Sequence, residues 1–320
     1  MDLTILISNL TNPTLLFFAL GIFAAWVKSD LEIPRSSSQF ISLYLLFAIG
    51  FKGGQELAKN PFTAEIGFML LFGIVVAAII PIYTFFILKK KLSIADAGAV
   101  AAAYGSVSAV TFVAATSFLD SQAIDYGGHM VAVMALKEAP AIIIGVVLMM
   151  IYGDKSDAQG DLGHIVKHSF TNGSVLMILG SLVIGFVADQ EMAENIKPFT
   201  NDIFQGFLAI FLLDMGMVTA RRIQAFKNYG KFVTAFGVVV PIINGIIIAV
   251  LSGFITQNTG DRFLVAILSA SASYIAVPAA MRLAAPKADP GLYIPMALGI
   301  TFPFNITLGM PLFYWIISIT

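Results

Sequence analysis

Residues 104–111 read Tyr104-Gly105-Ser106-Val107-Ser108-Ala109-Val110-Thr111, a run in which Ser106 lies ten residues beyond Asp96. Far along the chain stands a counterpart, Ser269-Ala270-Ser271-Ala272-Ser273-Tyr274, in which Ser271 lies ten residues beyond Asp261 and Pro278 follows shortly. A helix rises about 1.5 Å per residue, so ten residues from a charged surface position travel about 15 Å, half of a hydrocarbon core about 30 Å thick. Both Ser-x-Ser stretches are therefore expected near the midplane of a membrane. Gly105 and Pro278 weaken helices, and in lipid a break at depth is tolerated only where it lines a cavity or binds something. The second half of a broken helix starts with unpaired N–H groups at the positive end of its dipole, which favours an anion. Serine and threonine hydroxyls add donors for an anion or oxygen ligands for a small cation. Close helix packing uses the same Gly, Ala and Ser, but the recurrence at matching depth points to a site. Its substrate-binding candidates are Gly105, Ser106, Ser108, Thr111, Ser271 and Ser273.

Outward from these stretches the chain is apolar. Of its 320 residues 58% are hydrophobic and only 12% charged, with a mean hydropathy of +0.89, whereas soluble domains carry about 25% charged residues. Long apolar blocks such as Ile66–Leu88 and Phe232–Phe254 approach the roughly 20 residues needed to cross a bilayer. Ten spans are expected, near 13–27, 37–51, 64–88, 96–119, 128–152, 171–188, 199–219, 228–255, 261–283 and 291–318. The second is short and reads as tilted or partly re-entrant. A net charge of −1 argues against a nucleic-acid partner, which calls for a basic face. Cysteine is absent, so there is no disulfide or thiolate site. Met1–Leu10 has no basic segment ahead of its apolar stretch and does not read as a signal peptide.

Thirteen of the 18 Lys and Arg fall in loops after odd-numbered spans, among them Lys89–Lys91, Lys155, Arg221, Arg222 and Lys227. Lys52, Lys59, Lys197 and Arg262 fall on the opposite side, and Lys137 lies inside a span. Positive charge collects on the cytoplasmic side, which places both termini outside a cell inner membrane.

The halves of the chain repeat. Thr11-Asn12-Pro13-Thr14 recurs as Thr171-Asn172-Gly173-Ser174 at an offset of 160, and Asp96 recurs as Asp261 at an offset of 165. Ile49-Gly50 corresponds to Met215-Gly216, and Pro81 to Pro241. The expected fold is all-α integral membrane: ten transmembrane helices in two five-helix repeats, 1–152 and 171–320, joined by a cytoplasmic linker at 153–170. An odd number of spans per repeat inverts one copy relative to the other. Helices four and nine are discontinuous or crossing. Inverted repeats with a midplane site are the architecture of many secondary transporters.

Other polar residues at depth are ion-coupling candidates: Ser269, Tyr274, Glu138, Asp214 and Asn305. Lys137 and Glu138 are adjacent in span five and point about 100° apart, so they do not pair with each other; Asp214 is a possible partner for Lys137, or for Arg221 or Arg222. Asp96 and Asp261 read as helix N-caps. His164 and His168 share an i, i+4 spacing but lack a third ligand, so no transition-metal site is expected. A hydrolase would need a base beside one of the serines, and the one histidine in a span, His129, lies near its end; no enzyme is expected.

At these motifs the chain resembles the sodium-dependent bicarbonate transporter family. That family's first site motif, Gly-Ala-Val-Ser-Gly-Ser-Thr, is matched at Gly105, Val107, Ser108 and Thr111. Its second, Ser-Ser-Ser-Ser-Asp-Ile-Ser-Gly-Pro-Pro, is matched at Ser271, Ser273, Ile275 and Pro278, with Arg282 following. Gly53-Gly54, the acidic-x-Pro-Ala at Glu138–Ala141 and Met215-Gly216-Met217 also fit. The similarity spans nearly the whole chain but lacks the family's large cytoplasmic insertion. The family's aspartate in the second motif is Tyr274 here, and Ala270, Ala272 and Ala276 stand where it has serines; Glu138 and Asp214 are candidates to replace the lost carboxylate. The resemblance implies sodium-dependent bicarbonate uptake in contact with membrane lipid, with sodium as coupling ion. It also implies a homotrimer, a mobile core carrying spans four and nine, and a PII-type regulatory partner. The alternatives are a cation/proton antiporter, which would want a buried aspartate beside the crossing, and a sodium-coupled organic anion symporter, which would show a larger, more apolar cavity.

Overall fold

A computed structural model describes residues 11–59, 62–153, 163, 167, 171–226 and 230–320, with side chains except at 222–226. Met1–Leu10, Lys155, His164, His168 and Lys227, like most of the expected linker, lie outside the described residues. Among the described residues every regular element is helical. The helices are α1 (Pro13–Trp26), α2 (Arg35–Lys59), α3 (Ala64–Leu88), α4 (Ile94–Gly105), α5 (Ala109–Ser121), α6 (His129–Tyr152) and α7 (Gly173–Val187). Then follow α8 (Gln190–Glu194), α9 (Phe204–Phe226), α10 (Gly230–Ser252), α11 (Thr259–Ser269), α12 (Ala276–Ala284) and α13 (Pro290–Ser318), the last loosened by wide π turns at Met296–Thr301 and Asn305–Gly309.

Six stretches are long and apolar enough to cross a membrane: Ala64–Leu88, Ile94–Ser121 counted across its break, His129–Tyr152, Pro198–Arg221, Gly230–Ser252 and Pro290–Ser318. Pro13–Trp26 and Gly173–Val187 are apolar but shorter. The other two expected spans differ from this pattern. The second is neither short nor re-entrant: α2 runs for 25 residues, with polar ends at Arg35–Gln39 and Lys52–Glu56. Lys52 and Lys59 consequently sit on a helix, not in a loop. The ninth is divided into α11 and α12. Arg262 is likewise no loop residue; it is buried in α11 and donates to the Ala249 carbonyl at 3.0 Å and to the Thr320 hydroxyl at 2.6 Å.

The repeated Thr-Asn motif is one N-cap used twice. Asn12 accepts from the Thr14 amide and Asn172 from the Ser174 amide, both at 3.0 Å, satisfying a donor that has no partner within the helix. Asp96 and Asp261 are not the caps. Ser93 and Asn258 are, accepting from the amides of Asp96 and Asp261 at 3.1 and 2.9 Å. The aspartates instead reach outward: Asp96 accepts from the Asp289 amide at 2.8 Å and Asp261 from the Gly127 amide at 2.6 Å. Each ties the start of a broken helix to the residues just ahead of an unbroken one, α13 or α6.

Two close crossings hold the other helices. α1 packs on α9 and α2 on α7. A Cβ on Gly21 would meet the Leu213 carbonyl and one on Gly216 the Phe18 carbonyl, while Gly54 faces Leu182 and Gly185 faces Phe51 in the same way. Backbones approach this closely only through glycine, and the packing gained takes the place of a hydrophobic force that is absent between helices in lipid. α4, α5 and α11 are buried nearly throughout, enclosed by α3, α6, α10 and α13.

Candidate substrate site at the helix crossing

α4 ends at Gly105, the backbone runs extended through Ser106–Ser108, and α5 starts at Ala109. α11 ends at Ser269, and six residues pass before α12 starts at Ala276. The two breaks meet. The Ser108 amide donates to the Ser271 hydroxyl at 3.0 Å, and the Ser273 amide donates to the Ala103 carbonyl at 2.8 Å. Ser108 and Ser273 also hold the starts of the second halves, accepting from the Thr111 amide at 3.1 Å and the Val277 amide at 3.3 Å. The carbonyls freed by unwinding are capped in turn: Ser269 by Asn244 Nδ2 at 3.1 Å and Ala270 by Asn305 Nδ2 at 2.9 Å. Backbone polarity at depth is thereby matched, as an apolar solvent demands.

All six substrate-binding candidates lie at these breaks, although Gly105 takes a different part from the one expected. It closes α4 with no room for a side chain, since a Cβ there would strike the Pro81 ring and lie 3.1 Å from Ala141. It is a packing glycine, and the amides opening α5 belong to Ala109 and Val110. Asn305 is a strut for the second break. Asn244, absent from the sequence reading, is its companion, and its Oδ1 accepts from the Tyr83 hydroxyl. Tyr104 is also new, bonded at 2.7 Å to Thr301, whose hydroxyl donates to the Gly237 carbonyl at 2.8 Å. The one available signal was an uncharged polar residue within an apolar span, which Asn244 shows alone and Thr301 shows beside Asn305.

Lys137 and Glu138 straddle the crossing. Lys137 is fully buried, and its ammonium donates to Ser269 Oγ at 2.9 Å, beside the last turn of α11. It does not pair with Asp214, which accepts from the Ser38 hydroxyl at 2.5 Å in a separate cavity and takes no part in the crossing. Glu138 is 6% exposed, and its Oε2 has no partner. It lines a small, partly open cavity of about 10 Å³, roughly the room one water requires, together with Ser108, Ala109, Ser273, Tyr274 and Ala276. A cation thus stands at the negative end of α11 and a carboxylate where α5 and α12 both begin, each opposing the local helix dipole. Adjacent positions on α6 serve opposite sides of the crossing because successive helical residues diverge by about 100°.

Around this cavity several polar atoms are left unmatched by the protein. Glu138 Oε2 is buried without a partner, the Tyr274 hydroxyl points at Ser108 without reaching hydrogen-bond geometry, and Ser106 Oγ and Thr111 Oγ1, at the same break though not lining the cavity, are also buried unpaired. Buried polar atoms are normally paired, so this set is suited to a small polar guest. Its donors and helix N-termini suit an anion, and its hard oxygens suit a small cation.

A chain of apolar helices, two of them unwound and stitched to each other, has the make-up of a multi-pass membrane protein, and its family makes it a transporter, not an enzyme. It belongs to the Na+-dependent bicarbonate transporter superfamily, whose family model matches residues 13–318, nearly the whole chain. No curated protein matches it significantly.

Proposed function

We propose that the chain is a secondary active transporter of a small anion, bicarbonate first, that binds the anion between the starts of α5 and α12 and couples its movement to a cation, sodium first. The observation that carries this reading is the pair of broken helices bonded to one another, with their second halves converging on a cavity that holds an unpaired carboxylate. Glu138 supplies negative charge where an incoming anion also wants to sit. A cation that neutralises Glu138 relieves that competition, so anion and cation bind together more readily than either alone. Thr111, Tyr274 and Glu138 offer oxygens to the cation; Ser108 and Ser273, with the amides behind them, face the anion. Glu138 is in this reading the replacement for the carboxylate that Tyr274 displaces.

The architecture proposed with it is ten membrane crossings in two inverted repeats of five, in an inner membrane with both termini outside. Support comes from the duplicated Asn caps, the reciprocal Asp96–Asp289 and Asp261–Gly127 bonds, and the α1–α9 and α2–α7 crossings, which exchange when the first half is laid on the second. A homotrimer and a PII-type regulator belong to the same proposal. A cation/proton antiporter is the second reading, favoured by one observation: α6 brings Glu138 to the crossing that α4 and α11 leave without an acid.

The test is uptake of labelled bicarbonate into proteoliposomes with and without an inward sodium gradient. Sodium-stimulated uptake, lost in Ser108→Ala, supports the transporter reading. Absence of uptake by correctly inserted protein sinks it, and sodium- or proton-driven efflux without anion movement selects the antiporter.

A further inference from the structure

The cavity that holds Asp214 is separate from the crossing and much larger, about 210 Å³, and lies half open between the start of α2 and the last turns of α9. Arg35 and Ser38, three residues apart, present one face of α2; Asp214, Val218 and Arg221, spaced by four and three, present one face of α9. Glu32 stands at the exposed rim. The buried Asp214 carboxylate is already engaged by the Ser38 hydroxyl at 2.5 Å. Among the described residues neither Arg35 nor Arg221 forms an ion pair with a carboxylate. Two guanidiniums therefore line one cavity; Arg221 also acts electrostatically on the Asp214 carboxylate, but neither is held in an ion pair, which leaves planar donors for oxygens of an anion.

The surroundings set the level of this cavity. Arg221 closes the apolar stretch Pro198–Arg221, and Trp26, 73% exposed, closes α1. A tryptophan at the end of an apolar helix belongs at the headgroup layer. Val27 and Leu31, both exposed, lead from it into the connection that carries Glu32 and Arg35. Acyl chains can lie on this apolar flank while the headgroup turns inward.

The geometry points to a binding site for the phosphate of an anionic phospholipid, held by Arg35 and Arg221 and distinct from the transport site. Free inorganic phosphate shares the chemistry but would make no use of the apolar flank. The site clamps α2 against α9, so its occupancy stabilises the fold irrespective of what the protein transports.

The experiment uses delipidated full-length protein in detergent. Thermal stability is measured against added phosphatidylglycerol, phosphatidylcholine and inorganic phosphate, for wild type, Arg35→Gln, Arg221→Gln and the double variant. Both arginines are exposed, so their replacement leaves the basal melting temperature near that of wild type. Stabilisation of wild type by phosphatidylglycerol above phosphatidylcholine is expected, with apparent affinity falling about 30-fold in the double variant at roughly 1 kcal/mol per arginine. Equal stabilisation of wild type and double variant overturns the site. So does a response to phosphatidylcholine matching that to phosphatidylglycerol. A response to inorganic phosphate as large as that to the lipid, lost in the double variant, keeps the anion site but overturns the lipid as its ligand.

Discussion

At the scale of single residues, the crossing shows charge placed against backbone dipoles. Lys137 and Glu138 are costly to bury, and charges at such depth are kept where they do work. The carboxylate and an incoming anion want the same helix starts, which makes Glu138 the residue through which cation and anion sense one another. Glu138→Gln removes the competing charge while keeping the shape. Anion uptake by this variant is expected to lose its dependence on sodium, shrinking the sodium stimulation about tenfold or more, within the usual range of coupling between sites; labelled uptake across a sodium series measures it. If Glu138→Gln keeps the sodium dependence of wild type, Glu138 is not the coupling group. Ser108→Ala removes the cap on α5 and a hydroxyl facing the cavity. It should cost about 1 kcal/mol of stability while abolishing uptake, so the two readouts separate its capping part from its binding part.

At the scale of elements, each broken helix is held open by struts from its neighbours. Asn305 and Asn244 cap the carbonyls of Ala270 and Ser269, and Pro81 of α3 packs on Gly105 where α4 stops. Asn305→Leu leaves the Ala270 carbonyl buried and unpaired, and a loss of about 1–3 kcal/mol is expected, read as a lower melting temperature in detergent. An unchanged melting temperature would show that the second break does not depend on this strut. Gly105→Ala pushes a methyl into the Pro81 ring and should separate α3 from α4 at a cost of about 1–3 kcal/mol, with uptake falling in parallel because Ser106 and Ser108 shift with the end of α4.

At the scale of the whole molecule, the chain contains no cysteine, so single cysteines can be introduced on a silent background to read its orientation. With positive charge on the cytoplasmic side, Ser318→Cys is expected to react with an impermeant maleimide on intact cells and Lys90→Cys only after permeabilisation. The reverse pattern would invert the proposed topology.

The amino-acid sequence by itself determined that this is a helical membrane protein, where most of its helices run, and that two serine-bearing segments interrupt helices ten residues beyond Asp96 and Asp261. These properties follow from apolar run length and from local chemistry: Asn caps, Pro and Gly, and the distance from a charged residue. Most apolar helices begin and end close to where composition alone put them. The tertiary structure decided the rest, because contact across the fold leaves little trace in linear order. It lengthened α2 past its polar end, where packing on α7 through Gly54 outweighs polarity. It moved Asp214 out of the crossing to Ser38, and turned Asn305 from a lining residue into a strut. It recruited Asn244 from a span that read as a plain lipid-crossing segment, and it bonded Tyr104 of the first serine-bearing stretch to Thr301. Above all, it set Lys137 and Glu138 on opposite sides of one crossing. Their burial could be read from the sequence, but which helix end each would face depends on how α6 rotates against α4 and α11, and only packing fixes that angle.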